Sequence, residues 1–173
     1  MSAPEFSRPE RLDMIGEAPR NVTIAADADE RRRLAGRFGL LAIERLDASF
    51  AIRRDATGVI ADGRVSAAVT QACTVTGDPL PATIDEKVTL RFVQPGASDE
   101  EIELGEDALD TIEIEGGAVD LGEAAAETMA LALDPYPRGP RAAEALREAG
   151  ISGEDQSGPF SALAALKDKL GKN

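Results

Sequence analysis

From Leu46 to Val93 apolar and polar side chains alternate, broken only by short turn-forming clusters, and this period of two most constrains the fold. Leu46, Ala48, Phe50 and Ile52 fall on one face, with Asp47 and Ser49 on the other. Arg53–Gly58 supplies a turn, Val59-Ile-Ala61 follows, and Asp62-Gly63 reads as a tight hairpin turn or a glycine bulge. Val65, Ala67, Val69 and Cys73 then share a face, and Gly77-Asp78-Pro79 turns the chain again. Val88, Leu90 and Phe92 alternate with Lys87, Thr89 and Arg91. Tight turns leave no room for crossovers, so an antiparallel meander is expected, with closure into a barrel as one option.

Helical signals flank the meander. Asn21–Ala26 reads as a short strand, and Pro9 would confine any earlier strand to an edge. Asp27 or Asp29 can cap a helix through Phe38, ended by Gly39. Further on, Asp120 can cap a second helix, with Glu123 reaching back as in a capping box. Leu121, Ala125, Met129 and Leu133 make its apolar stripe, with Ala132 beside it. Pro135, Pro137 and Pro140 then force an extended strap that carries the only tyrosine, Tyr136, and Arg138. Ile102, Leu104, Ile112 and Ile114 suggest one or two more short strands, and Arg141–Ala149 a third helix. Beyond a linker at 151–158, Pro159–Leu170 reads as a short helix with a stripe of Phe160, Leu163, Leu166 and Leu170. The expected architecture is α+β: a meander with packed helices over residues 1–150, and a linker with a C-terminal helical tail over 151–173.

Composition sets the class. With 43% hydrophobic but only 3% aromatic residues and no Trp, the core must be aliphatic and alanine-rich. No run is long enough to span a bilayer, and the N-terminus lacks a signal-peptide core. A single cysteine makes no internal disulfide, so a cytoplasmic setting is expected. The net charge of −13 is localised: between Arg91 and Arg138 there are thirteen acids and no Lys or Arg, while the rest balances at nineteen of each sign. Such a segment repels phosphate, which disfavours broad DNA or RNA binding and leaves two readings, a solvated acidic face that aids solubility or a surface for a basic protein partner. Arg31, Arg32, Arg33 and Arg37 form the densest basic cluster, with the acidic segment available to pair it.

Catalytic chemistry finds little support. The chain has no histidine, so the commonest general base and zinc ligand are missing. Cys73 alone cannot build a thiolate zinc site, and a buried thiol suits its place beside Val69. The glycines lack phosphate-loop spacing, and the acids of 99–107 lack calcium-loop spacing. No catalytic residue, cofactor or metal site is expected. Two alternatives stay open: a small-ligand pocket enclosed by residues 46–93, and a Mg²⁺-dependent hydrolase using clustered carboxylates.

Three ordered blocks resemble the YceD family of large ribosomal RNA subunit accumulation proteins, in an alphaproteobacterial form. Val69–Leu80 is similar to that family's cysteine-bearing strand and turn, with Thr76 where many members have a second cysteine. Val119–Arg138 resembles its Asp-Leu…Glu…Leu-x-Leu-x-Pro signature at Asp120, Leu121, Glu127, Leu131, Leu133 and Pro135. Pro159–Lys167 resembles its Pro-Phe-x-x-Leu-x-x-Leu-Lys ending, and Phe6-Ser-Arg-Pro9 its start. The resemblance implies a non-enzymatic role in making, processing or stabilising large-subunit ribosomal RNA. The cysteine pairs that suggest metal binding in some relatives are lacking, so no metal is carried over. Together with the charge partition, this favours a basic ribosomal protein or assembly factor as partner over direct RNA contact. The expected contacts are Tyr136 and Arg138 on the strap and Phe160, Leu163 and Leu166 on the tail.

Overall fold

The computed structural model describes residues 4–94, 110–114 and 116–150. They fall into two compact units, one within 1–71 and 79–135, the other within 72–78 and 136–173. The expected strands at Ile102 and Leu104, and the tail helix, lie outside the described residues.

In the larger unit the alternating stretches form β3 (Ala42–Arg54), β4 (Val59–Ala72) and β5 (Pro79–Val93). β2 (Arg20–Ala25) and β6 (Asp110–Glu113) complete a sheet of order β2-β3-β4-β5-β6. The described strands do not close into a barrel, because β2 and β6 are its edges. Leu46, Ala48, Phe50 and Ile52 are all buried, as are Val65, Ala67 and Val69. β2–β3 and β3–β4 are antiparallel. β6, however, runs parallel to β5, with Leu90 opposite Asp110. β6 lies beyond the tight-turn stretch from which the meander was expected, and the chain between the two strands is long enough for a crossover.

Asp62-Gly63 is not a turn, because β4 runs through it, and in the β3–β4 pairing the register is unbroken there and shifts only at Ile43/Arg45. Gly63 sits opposite Phe50, and a Cβ there would come 2.4 Å from the Phe50 ring and 2.5 Å from the Ser49 carbonyl oxygen. The glycine makes room for a buried aromatic ring on the neighbouring strand. The turn at Asp55 does form, its carboxylate accepting from the Thr57 and Gly58 amides.

Helix α1 (Ala28–Phe38) starts at a full capping box: Asp27 accepts from the Glu30 amide and the Glu30 carboxylate accepts from the Asp27 amide. It ends at Gly39, whose φ of 65° suits glycine. α2 (Leu121–Leu131) packs across β3 and β5 with Leu121, Ala125 and Met129 fully buried. Leu133 is partly buried against the same core, whereas Ala132 is exposed. A second, two-stranded sheet pairs β1 (Pro9–Arg11) with β7 (Ala118–Asp120). The core joins these elements: Phe6, Leu34, Phe50, Phe92, Val119 and Met129 belong to one cluster. No helix among the described residues is long and apolar enough to cross a membrane.

Among the described residues, the smaller unit comprises the turn at 72–78, the proline strap from Tyr136, and α3 (Ala142–Glu148).

Candidate functional site

Pro137 and Pro140 lack backbone N–H groups, so the strap has few donors with which to hold itself. The Cys73–Asp78 turn supplies the missing anchors. That turn closes on itself as the Cys73 amide donates to the Asp78 carbonyl (2.8 Å) and the Gly77 amide to the Cys73 carbonyl (2.8 Å). Thr74 then donates twice to the Pro137 carbonyl, from its amide (2.9 Å) and from its hydroxyl (3.2 Å). Gly139 donates its amide to the Cys73 sulfur at 3.4 Å, as Thr76 does at 3.5 Å. Arg141, leading into α3, forks onto both carboxylate oxygens of Asp78, which also accepts from the Thr76 hydroxyl.

This arrangement corrects one expectation about Cys73. The thiol is buried, but strand β4 ends at Ala72, so the sulfur serves as an acceptor inside the turn and is not part of the sheet core. The Gly139 amide, then Thr76, stabilise the thiolate and push the Cys73 pKa down to about 6. Thr76, standing where the resembling family has its second cysteine, hydrogen-bonds both this sulfur and Asp78.

With its backbone tied down, the strap turns its side chains outward. Tyr136 is 73% exposed and Arg138 is exposed. Rigid presentation of an aromatic and a guanidinium suits a protein contact, because both residue types are over-represented among the anchors of interfaces. Phe160, Leu163 and Leu166, the other expected contacts, lie outside the described residues.

The signature positions in the larger unit divide between scaffold and surface. Asp120 caps α2 as expected, accepting from the Gly122 and Glu123 amides. Its carboxylate also accepts from the Arg8 amide (2.7 Å) and the Ser7 hydroxyl. The Phe6–Pro9 block and the Asp120-Leu121 block therefore lock together, and the Leu121 amide returns a bond to the Arg8 carbonyl. Gly122 permits the approach: a Cβ there would stand 2.6 Å from the Phe6 carbonyl oxygen. Arg8 continues outward, forking onto Glu30 at 2.8 and 2.9 Å. Leu121 is buried, whereas Glu127 and Pro135 are exposed and Leu131 is 84% exposed.

Glu123 departs from the expected capping box. It reaches away from the Asp120 backbone to take both guanidinium nitrogens of Arg37 at 2.9 and 2.6 Å. The basic cluster is thereby largely engaged within the chain: Arg37 also meets Glu5, Arg32 pairs with Asp29, and Arg31 donates to the Ala26 carbonyl. Beside Arg37 and α2 opens a groove of about 590 Å³, and of residues 46–93 only Phe92 is in its lining. Among the described residues no group of three or more His, Cys, Asp or Glu stands close enough to hold a metal ion.

Sequence reasoning missed the sulfur's part in holding the strap and the donors that meet at Asp120. The only available signal for the latter was the Ser-Arg pair inside the N-terminal block. Comparison with curated proteins and with solved structures finds no match. The family model of the large ribosomal RNA subunit accumulation protein YceD does match, over residues 61–167 of 173, which spans the Cys73 turn, α2 and the strap. The chain therefore belongs to the YceD family, whose description supports a role in ribosome biogenesis.

Proposed function

We propose that this protein carries out no chemistry of its own and supports accumulation of large-subunit ribosomal RNA by holding a protein, a basic ribosomal protein or assembly factor. The contact is made by Tyr136 and Arg138 on the anchored strap, joined by Phe160, Leu163 and Leu166 of the tail. The observation that carries this reading is the anchoring: the Thr74 and Gly139 bonds fix the strap's backbone while Tyr136 stays 73% exposed. A surface fixed before binding loses less entropy when it binds. The charge partition adds support, since thirteen acids without a base between Arg91 and Arg138 attract a cationic protein and repel RNA. The pairing of Arg37 with Glu123 further reduces what the basic cluster can offer a phosphate.

The test is a pull-down with the full chain, with and without nuclease. Ribosomal proteins or assembly factors are expected to co-purify after RNA is destroyed, and the double variant Tyr136→Ala, Arg138→Ala is expected to lose about tenfold of that signal. Co-purification only while RNA is intact would overturn the protein-partner reading. The double variant's melting temperature should stay within about 1–2 °C of wild type, because both side chains are exposed.

A further inference from the structure

The open sides of the five-stranded sheet are not protected alike. An edge strand offers a row of unpaired N–H and C=O groups, and proteins blunt it with proline, charge or irregularity. Among the described residues β6 covers β5 only from Leu90 to Val93, and the open stretch at 79–89 carries Pro79, Pro81, Asp85, Glu86 and Lys87. β2 has no such device: residues 21–26 hold no charge and no proline, and the pairing with β3 is regular. The Ala26 amide donates to the Leu46 carbonyl at 3.0 Å. Alternation along an antiparallel strand then turns the backbone groups of Val22 and Ile24 towards β3 and those of Asn21, Thr23 and Ala25 outwards. All three outward residues are exposed. Among the described residues their backbone groups meet one partner, the Arg8 guanidinium, which donates to the Ala25 carbonyl at 3.1 Å and leaves that oxygen a second lone pair.

The stretch is also complementary to itself. Two antiparallel copies with Thr23 on the two-fold axis exchange N–H···O bonds between their Thr23 residues and join Asn21 of each to Ala25 of the other. That register lays Val22, partly buried against the core, opposite the buried Ile24 of the second copy on the core-facing side. Two β-branched side chains pack well there, and Thr23 meets Thr23 on the solvent side as a favoured cross-strand pair. The ends agree in charge. Arg20 opens the strand and Asp27 follows it, so antiparallel copies bring opposite charges together at both ends, whereas parallel copies would bring like charges together. We infer that the β2 edge docks a second copy of this chain, joined edge to edge through residues 21–25 into a sheet that runs through both protomers. An isologous contact of this kind closes at two copies. Each copy contributes one short strand and a net charge of −13, so the dimer belongs with the small, concentration-dependent interfaces and weakens at low salt. It uses neither the strap nor the tail, and it holds whether or not a basic partner binds there.

The test follows amide hydrogen exchange in the full chain from dilute to millimolar protein. Exchange at Asn21, Thr23 and Ala25 is expected to slow by about tenfold as concentration rises, while Val22 and Ile24, already turned to β3, change far less. Sedimentation velocity should show the dimer over the same range. Thr23→Lys sets two like charges face to face on the axis and is expected to weaken dimerisation about tenfold. Because the Thr23 side chain is exposed, the variant's melting temperature in dilute solution should stay within about 1–2 °C of wild type. Thr83→Lys makes the same change at an exposed position of β5 and should leave the dimer intact. Fast exchange at Asn21, Thr23 and Ala25 at every concentration would overturn the proposal. So would a dimer that survives Thr23→Lys, or one that is lost in Thr83→Lys. Protection of the three amides that does not depend on concentration would mean that the chain covers its own edge, and would overturn it as well.

Discussion

Asp120→Ala is expected to be a scaffold mutation even though Asp120 lies in the family signature. The carboxylate accepts from the Gly122 and Glu123 amides at 3.0 and 3.2 Å and from the Arg8 amide at 2.7 Å, and also takes the Ser7 hydroxyl. Removing it costs α2 its N-cap, about 1 kcal/mol. It also strands the part-buried Arg8 amide, worth about 1–2 kcal/mol where water has partial access. The Ser7 hydroxyl can rotate to solvent and adds little. The sum is about 2–3 kcal/mol, a fall in melting temperature of roughly 4–12 °C for a chain of this size. Asp120→Asn keeps an acceptor oxygen and should lose about 1 kcal/mol or less. Thermal and urea unfolding followed by circular dichroism measures both, and amide exchange at Arg8 should accelerate in the alanine variant. A loss under about 0.5 kcal/mol for Asp120→Ala would refute this account of the site. Equal losses for the two variants would show that charge, not acceptor geometry, holds the two blocks together.

The Cys73 thiol should titrate with a midpoint near 6, followed by thiolate absorbance, and a midpoint near the ordinary value of about 8.5 would show that the Gly139 and Thr76 amides do not face the sulfur. Because the folded pKa is depressed, the stabilisation is complete above the unfolded pKa of about 8.5 and is lost as pH falls through about 6. The stability gap between wild type and Cys73→Ala should therefore narrow from alkaline to acid. Gly63→Ala would gain about 0.5–1 kcal/mol from lower backbone entropy, but it forces a methyl to 2.4 Å from the buried Phe50 ring. Overpacking of about 1–3 kcal/mol should win, and a variant more stable than wild type would show that the ring can move.

The elements that read well from sequence are those whose burial is one-sided. β3 exposes Asp47 and Ser49 to one side and buries Leu46, Ala48, Phe50 and Ile52 on the other, so alternation alone locates it. Asp62-Gly63 misleads because a glycine kept clear for a ring on the next strand looks the same, locally, as a glycine in a turn. Glu123 satisfies the capping-box spacing, yet Arg37 from another helix offers it a charge-assisted fork, which is stronger than a neutral amide. β6 pairs in parallel because the chain between Val93 and Asp110 permits a crossover that spacing alone does not announce. In the candidate site, the exposed strap follows directly from three prolines. The anchors do not: Thr74 reaches Pro137 and Cys73 reaches Gly139 across more than sixty residues, and no local pattern records such pairs.

The pairing of β1 with β7 also fixes an order of events during synthesis. Glu10 must wait for Val119, so the first strand emerges with no partner. At about 5–20 residues per second that wait is roughly 5–20 s, while β2, β3 and β4 can already pair with one another. Throughout it Phe6, 1% exposed in the finished unit, lacks the part of its core cluster that Val119, Leu121 and Met129 supply. A segment translated well before its partner strand is therefore among the last to fold. In the interval it is the part of the nascent chain that a holding chaperone would grip and an aggregate would capture.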